Sequence, residues 1–248
     1  MILKGLEKMK QKYFLDVHCH TVSSGHAYST VFECAKGASE KNISLIAITD
    51  HAPKMPGSCS YLHFMNLNVI PEFLFGVEIL SGVELNILDI NGKVDLPKNI
   101  IKKLDVVIAS LHIPCIEPMS VEENTQCIVN TMKNPYIKIF GHPGDPRYPF
   151  DIKTVVSASR DTNTILELNN TSLSPQNGRY DGPDTMIEIL RECKKQQLPI
   201  IFGSDAHFHT NIGNFNDVEK LTREVDFPDE LILNTSVELF KKTLNIKK

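Results

Sequence analysis

Short apolar runs alternate with amphipathic, helix-like segments along almost the whole chain, and this alternation limits the fold more than any other feature. The pattern predicts seven strands, at residues 13–17, 43–49, within 73–85, 104–110, 136–140, 164–168 and 199–202. Helices are predicted at residues 31–41, 121–133, 152–160, 184–197, 217–225 and 236–244. Strands that alternate with helices form parallel βαβ units with right-handed crossovers. Seven such units predict a closed or nearly closed α/β barrel, with a doubly wound open sheet as the alternative.

The rest of the chain adds few structural signals. Asn91–Gly92 separates two short runs and predicts a type I′ hairpin turn. Residues 1–12 are predicted as an N-terminal extension, and residues 13–248 as one barrel domain. Neither GxGxxG after the first strand nor GxxxxGK[ST] is present, which argues against a dinucleotide or P-loop site.

Composition excludes several classes of protein. Hydrophobic residues make up 42% and charged residues 23%, as in globular proteins. The net charge of −4 argues against binding of long nucleic acid by bulk electrostatics. Without a secretory signal or a long apolar span, the chain is predicted to be cytoplasmic and not to bind membranes. The six cysteines form no CxxC pair, so reduced thiols are expected.

Residues of the kinds that bind metals fall at the carboxyl ends of six predicted strands. In a parallel barrel these ends meet on one face, where active sites are built. The segments are 16–20 (DVHCH), 49–51 (TDH), 82–86 (GVELN), 110–112 (SLH), 141–144 (GHPG) and 203–207 (GSDAH). His18 and His20 are two residues apart on a strand and therefore face the same side, so both imidazoles can reach one metal. His63 and His209 fall outside the pattern and are predicted to be surface residues.

Taken together, these motifs resemble the PHP (polymerase and histidinol phosphatase) superfamily. The order is D-x-H-x-H, T-D-H, G-x-E, two single histidines after strands, and G-S-D-x-H. The segments 26–30 (HAYST), 47–51 (AITDH), 168–170 (LNN) and 225–228 (VDFP) are similar to the family's small stand-alone YcdX-type phosphatases. The resemblance extends from about residue 13 to the C-terminal helix.

The resemblance implies a distorted (β/α)7 TIM-like barrel with a trinuclear metal centre. Zinc is the usual ion, with iron or manganese in some members. The ligands implied are His18, His20, Glu84 and Asp205 for one ion; Glu84, His112 and His142 for a second; and His26, His51 and His207 for a third. Seven imidazoles and two carboxylates suit divalent transition metals rather than calcium or magnesium. The side chain of Cys19 is expected to point away from the metals.

The predicted reaction is hydrolysis of a phosphate monoester by a metal-bridging hydroxide, with a small-molecule phosphate ester as substrate. Binding to zinc lowers the pKa of water from 15.7 to about 7. Glu84 is predicted to bridge two ions, and Asp205 to bind one ion and orient the nucleophile. Asp50 is a candidate for orienting an imidazole, although a capping or solvated role is equally open. Arg147 is a candidate phosphate clamp, with a solvated arginine as the alternative, and Arg179 is a weaker candidate of the same kind.

Other functions remain open at this stage. Two are enzymes on phosphate esters: a histidinol-phosphate phosphatase, and a nucleotide phosphatase or nuclease. An amidohydrolase also uses an H-x-H pair on a barrel. The short chain and the additional trio of His26, His51 and His207 argue against this function. A non-catalytic metal-binding module is a different class, disfavoured because all nine ligands are present. Self-association into a homo-oligomer is a further expectation of the resemblance.

Overall fold

The computed structural model describes residues 11–179 and 183–247, and within them it forms one α/β barrel. The strands are β1 (Leu15–Cys19), β2 (Leu45–Ile48), β3 (Phe73–Leu74), β4 (Val77–Asn86), β5 (Val106–Ser110), β6 (Ile139–Phe140), β7 (Ile165–Asn169) and β8 (Ile200–Gly203). The helices are α1 (Val31–Glu40), α2 (Tyr61–Met65), α3 (Lys98–Ile101), α4 (Val121–Met132), α5 (Ile152–Thr162), α6 (Asp184–Gln196), α7 (Asn216–Glu224) and α8 (Val237–Leu244).

Seven of the strands are parallel and follow the order β1-β2-β4-β5-β6-β7-β8, so the predicted barrel topology is confirmed. The short β3 pairs antiparallel with β4. The segment 73–85 therefore holds two strands, because Phe75 and Gly76 adopt positive φ angles of 53° and 77° and reverse the chain. Such angles place both residues in the left-handed region, where a strand cannot continue.

The barrel is nearly closed at the seam between β1 and β8. Cys19 forms a single parallel bridge with Ala206, beyond the end of β8. Nearer the start of the strands, the side-chain amide of Asn234 donates to the carbonyls of Leu15 (3.0 Å) and Phe202 (2.9 Å) and accepts from the Phe202 N–H (2.7 Å). Because this amide satisfies backbone groups on both edges, it takes the place of a continuous ladder between the strands.

The barrel interior is apolar below the carboxyl ends of the strands. Alternate strand residues point inward, and they form one buried cluster with residues of the C-terminal segment. Its members are Leu15, Val17, Leu45, Ala47, Leu80, Val106, Ile108, Ile139, Ile165, Ile201, Leu233, Phe240 and Leu244. In the same alternation, Glu84, Glu167 and Gly203 occupy inward positions nearer the carboxyl ends of β4, β7 and β8. A polar layer therefore lies directly above the apolar interior of the barrel.

An irregularity in β1 turns its two histidines toward this layer. The register between β1 and β2 shifts between Asp16 and Cys19. Cys19 packs outside the barrel with residues of α1, as expected, while His18 and His20 point to the other side. The shift thus lets the strand place Val17 in the apolar interior and His18 in the polar layer.

Some expectations fail or lie outside the described residues. The type I′ turn is wrong, because Gly92 has a positive φ but Asn91 does not. Instead, the Asp89 side chain accepts from the Asn91 N–H (2.8 Å) and stabilises a different turn. Residues 1–10 of the predicted extension are outside the described part of the chain. All six cysteines are free, and no helix among the described residues is long and apolar enough to cross a bilayer.

Candidate metal centre

The nine predicted ligands meet at the carboxyl end of the barrel. Seven of them are buried: His18, His20, His51, Glu84, His112, His142 and Asp205. His207 is half-buried, and His26 is exposed at the edge of the group. Buried charged and imidazole groups in such number are costly unless they are paired or bind a metal. The cluster is therefore a candidate functional site on burial alone.

Glu84 lies at the centre of this group, with five imidazoles around its carboxylate. The shortest distances from a Glu84 oxygen are 2.7 Å to Nδ1 of His51, 3.0 Å to Nε2 of His142, 3.3 Å to Nε2 of His112, 3.4 Å to Nε2 of His18 and 3.6 Å to Nε2 of His20. Burial by itself raises the pKa of Glu84, but these imidazoles outweigh it and hold the pKa of the carboxyl well below its usual range. An ionised carboxylate in this position can bridge two cations.

Asp205 is the second acidic residue of the cluster. Its Oδ1 lies 3.2 Å from Nε2 of His20 and 3.7 Å from Nε2 of His18, and its Oδ2 pairs with Nη2 of Arg179. Asp205 and His142 have positive φ angles of 53° and 30°. Non-glycine residues in this region cost about 1–3 kcal/mol each and concentrate at functional sites. The backbone thus carries strain to aim two of the predicted ligands.

Three sets of ligand atoms are close enough together to hold an ion, with all atoms within 4.8 Å of one another. The sets are His18, His20 and Asp205; His51, Glu84 and His112; and His20, His51 and His207. They resemble the three predicted sites, but His51 stands where His142 was expected and His20 where His26 was expected. His26 still borders the third set, since its ring centroid is 5.0 Å from that of His51 and 4.8 Å from that of His207.

The protonation chemistry of the cluster fits transition metals. Within the described part of the chain, the buried side-chain atoms without a hydrogen-bond partner include Nε2 of His18, Nε2 of His20, Nδ1 of His51, and Oε2 of Glu84. Burial, with neighbouring imidazoles, lowers the pKa of His20 to about 3. Burial also lowers the pKa of His112 to about 4. Neutral imidazole is the form that binds metals, so the unpartnered Nε2 of His20 is suited to a divalent ion.

Glu167 on β7 is a functional candidate that the sequence reasoning missed. The carboxylate is 1% exposed; Oε1 is 2.5 Å from Nδ1 of His18, and Oε2 accepts from the His142 backbone N–H at 2.7 Å. It therefore orients two predicted ligands from behind, as carboxylates commonly do at metal sites. The signal that could have revealed it is an acidic residue in the middle of the apolar run ILELN.

Asn86 orients His112 in a similar way. Its Oδ1 lies 2.8 Å from Nδ1 of His112, and its Nδ2 donates to Asp95 at 2.7 Å and to the Ala52 carbonyl at 3.1 Å. Because Nδ2 is committed to these acceptors, Oδ1 faces the imidazole and accepts its Nδ1 proton. Nε2 of His112 thereby faces Glu84 Oε1 at 3.3 Å and Nε2 of His142 at 3.2 Å.

Asp50 is completely buried beneath the cluster and does not reach the cavity. It accepts from the Thr21 N–H (2.7 Å), the Thr21 hydroxyl (2.8 Å) and the Ser24 hydroxyl (2.7 Å). Burial opposes the charge, but these donors and His63 lower the pKa of Asp50 to about 2. His63 is half-buried with Nε2 3.3 Å from Asp50, so its assignment to the surface is wrong. His209, also half-buried, contacts Ser29 at 3.2 Å.

A cavity of about 450 Å³ opens over the ligands. Its lining includes His26, His51, His112, Asp205 and His207, with Met55, Ile113, Pro114, Arg147, Thr171, Asn177, Gly178, Arg179 and Asn211. Arg147 binds Asp145 through Nε (2.8 Å) and Nη2 (2.6 Å), while its side chain stays 39% exposed. Arg179 is 13% exposed, and its Nε has no hydrogen-bond partner among the described residues. Both predicted phosphate clamps therefore line the cavity that holds the ligands.

Comparisons with known proteins agree with this geometry. A model of the PHP domain family matches residues 16–244. A protein of Acetivibrio thermocellus named a probable phosphatase is 48% identical over 237 residues, covering 96% of this chain and 97% of its own. Another probable phosphatase, from Clostridium novyi, is 46% identical over 224 residues, with coverages of 90% and 91%. Histidinol phosphate phosphatase of Lactococcus lactis, solved with zinc, L-histidinol and phosphate, is similar in fold, with a TM-score of 0.57, 20% identity and coverages of 88% and 95%.

Proposed function

The chain belongs to the PHP domain family, and on that premise we propose that it is a metal-dependent phosphatase that hydrolyses phosphate monoesters at a centre of three divalent ions. One observation supports this more than any other: five buried imidazoles surround the Glu84 carboxylate beside a cavity that also contains two arginines. The imidazole-rich donor set favours zinc, manganese or iron over calcium or magnesium. The similarity to named phosphatases supports the choice of reaction.

The predicted ligands fall into three groups by position, one group for each ion. His18, His20 and Asp205 would hold one ion, and Glu84 with His112 a second, with His142 beside them. His51 and His207 would hold the third, with His26 at its edge. Divalent ions bound here would supply a hydroxide nucleophile near neutral pH and would neutralise charge on the phosphate. The second and third ions would each have at most three protein ligands, which leaves positions open, as a catalytic site requires.

The arginines would bind the phosphate oxygens. Arg179 already pairs with Asp205, and its buried Nε, which has no hydrogen-bond partner within residues 11–179 and 183–247, would face the reacting group. Arg147 is held by Asp145 through two nitrogens, so its guanidinium is fixed in orientation before a substrate arrives. A pre-oriented guanidinium loses little freedom when it binds a phosphate. Both cations also favour an anionic ester over a neutral amide.

Metal analysis followed by an activity panel tests the proposal. The purified protein is analysed for metals, stripped with a chelator, and assayed after zinc, manganese or iron is restored. The panel contains p-nitrophenyl phosphate, sugar phosphates, nucleotides, histidinol phosphate and an amide. We expect turnover of phosphate monoesters only in the metal-loaded protein.

Glu84→Ala is the variant that tests the role of the metal centre in turnover. Glu188→Ala, on the exposed face of α6, is its control. Glu84→Ala should abolish turnover while circular dichroism shows a folded protein, and Glu188→Ala should behave as wild type. Wild-type activity in Glu84→Ala, or turnover of the amide and of no phosphate ester, would contradict the proposed function.

A further inference from the structure

Ser24 is a completely buried serine that contacts two of the predicted ligands and one carboxylate. It ends a short 3-10 helix, Val22–Ser24. Its Oγ lies 3.0 Å from Nδ1 of His20, 2.7 Å from Oδ1 of Asp50 and 3.1 Å from the backbone nitrogen of His51. Three contacts on a hydroxyl that has one proton leave a single consistent set of donors and acceptors.

The donors and acceptors can be assigned one at a time. The His51 backbone N–H can only donate, and an ionised carboxylate such as Asp50 can only accept. The Asp50 oxygens also accept from the N–H and the hydroxyl of Thr21, so the carboxylate is used as an acceptor throughout. Ser24 therefore gives its one proton to Asp50 and accepts from His51. In the remaining contact, His20 must donate from Nδ1.

This assignment determines which nitrogen of His20 is free. With the proton on Nδ1, the lone pair of the neutral ring is on Nε2. Nε2 lies 3.2 Å from Oδ1 of Asp205 and 3.6 Å from Oε2 of Glu84, and it has no hydrogen-bond partner among the described residues. The free lone pair thus points at the two carboxylates with which it would share an ion.

We propose that Ser24 is a positioning residue of the metal centre. It holds His20 in the tautomer that presents Nε2 to an ion, and it fixes the backbone of His51 through the same oxygen. Asp50 acts behind it by setting the direction of the Ser24 proton. The inference rests on the metal centre of the proposed function and adds a residue that the ligand motifs do not contain.

The local backbone keeps Ser24 in this place. The Thr21 hydroxyl accepts from the Ser23 N–H at 3.2 Å and caps the short helix. Gly25 follows with φ of 80°, and a Cβ on it would overlap the carbonyl of Gly57. Because the chain passes this close to Gly57 in a left-handed conformation, the Ser24 oxygen has little freedom to move.

Zinc binding to the stripped protein gives a first test that does not depend on activity. Ser24→Ala removes the hydroxyl, and Ser23→Ala is the matched control, since the Ser23 hydroxyl makes no hydrogen bond with a described residue. We expect Ser23→Ala to bind zinc as the wild type does in competition with a chromophoric chelator. Ser24→Ala should bind at least one ion about 10–100-fold more weakly, as removal of an outer partner of a ligand usually does. Cobalt(II) absorption should show the same loss.

The tautomer can also be read directly. Long-range ¹H–¹⁵N spectra of histidine-labelled wild-type protein should show His20 protonated at Nδ1. Wild-type His20 protonated at Nε2 would overturn the inference, as would Ser24→Ala with wild-type zinc stoichiometry and Kd. If Ser24→Ala does not fold, Ser24→Cys keeps only a weak acceptor and should bind zinc more weakly than the wild type, while wild-type affinity in it overturns the inference. A wild-type protein that binds no transition metal refutes the proposed function itself, whereas equal binding by wild type and Ser24→Ala refutes only the role of Ser24.

Discussion

Replacing Gly203 by alanine is expected to displace the carboxylate that orients His18. Gly203 ends β8 and has no positive φ, so its backbone conformation suits alanine. The space beside Gly203, however, is too small for the side chain of alanine. An added Cβ would overlap Oε1 of Glu167, and it would lie 2.8 Å from Cδ of Glu167 and 3.0 Å from Cβ of His18. Carbon atoms pack at about 3.5–4.0 Å, so the Glu167 carboxylate must move by roughly 1 Å.

The cost of this movement follows from what Glu167 holds. A hydrogen bond to a charged group contributes about 1.5–3 kcal/mol, and Glu167 makes three, with Nδ1 of His18, the His142 N–H and Nδ2 of Asn169. Overpacking a core costs about 1–3 kcal/mol more. Loss of one bond together with the overpacking predicts destabilisation of about 2.5–6 kcal/mol. For a chain of this size, this lowers Tm by roughly 5–24 °C.

Thermal melts of the metal-loaded protein measure this change, with zinc stoichiometry determined on the same samples. Gly178→Ala is the control, because a Cβ there meets nothing within 4 Å. Adding Gly203→Ala to a Glu167→Ala protein should cost less stability than in the wild type, since the clashing carboxylate is gone and only the 3.0 Å contact with Cβ of His18 remains. A Gly203→Ala protein that melts within about 2 °C of wild type and binds zinc equally would refute the argument.

Three further predictions concern the same site. Glu167→Gln keeps the shape of the side chain but removes the charge behind His18. We expect a folded protein whose zinc affinity, measured by chelator competition, is at least about 10-fold weaker than that of the wild type. Unchanged zinc affinity would contradict this prediction. Arg147→Ala should raise KM for a phosphate ester about 10–100-fold in steady-state kinetics, because a charged hydrogen bond is lost, whereas an unchanged KM would make Arg147 a surface arginine. Removing the metals should lower Tm, since an ion at 1,000 times its Kd stabilises the fold by about 4 kcal/mol; equal melting of stripped and zinc-restored protein would refute tight binding.

Much of the centre could be predicted because its ligands occupy regular positions. A histidine or acid after each parallel strand must reach one face, whatever the details of packing. His18, Glu84, His112 and Asp205 are together for that reason, and the structure brings all four into one cluster. The H-x-H spacing also predicted that Cys19 would face away, which its packing against α1 confirms.

The partners behind the ligands could not be predicted in the same way. Ser24 and Asp50 are 26 residues apart, and Glu167 is 149 residues from His18. Their contacts depend on how the short helix that ends at Ser24, the end of β2 and the space beside Gly203 fit together in three dimensions. His63 shows the same limit, because nothing in its local sequence indicates that α2 places it against Asp50.

By itself, the sequence determined the barrel class, the face on which the site lies and the kinds of ligand present there. These follow from periodicity and from the geometry of parallel strands, which are local properties of the chain. The tertiary structure alone decided which ligand atoms share a position, which side chains face the outer nitrogens of His18 and His112, and that Arg179 pairs with Asp205. Those outcomes depend on distances of a few ångströms between segments far apart in the chain, and only packing sets such distances.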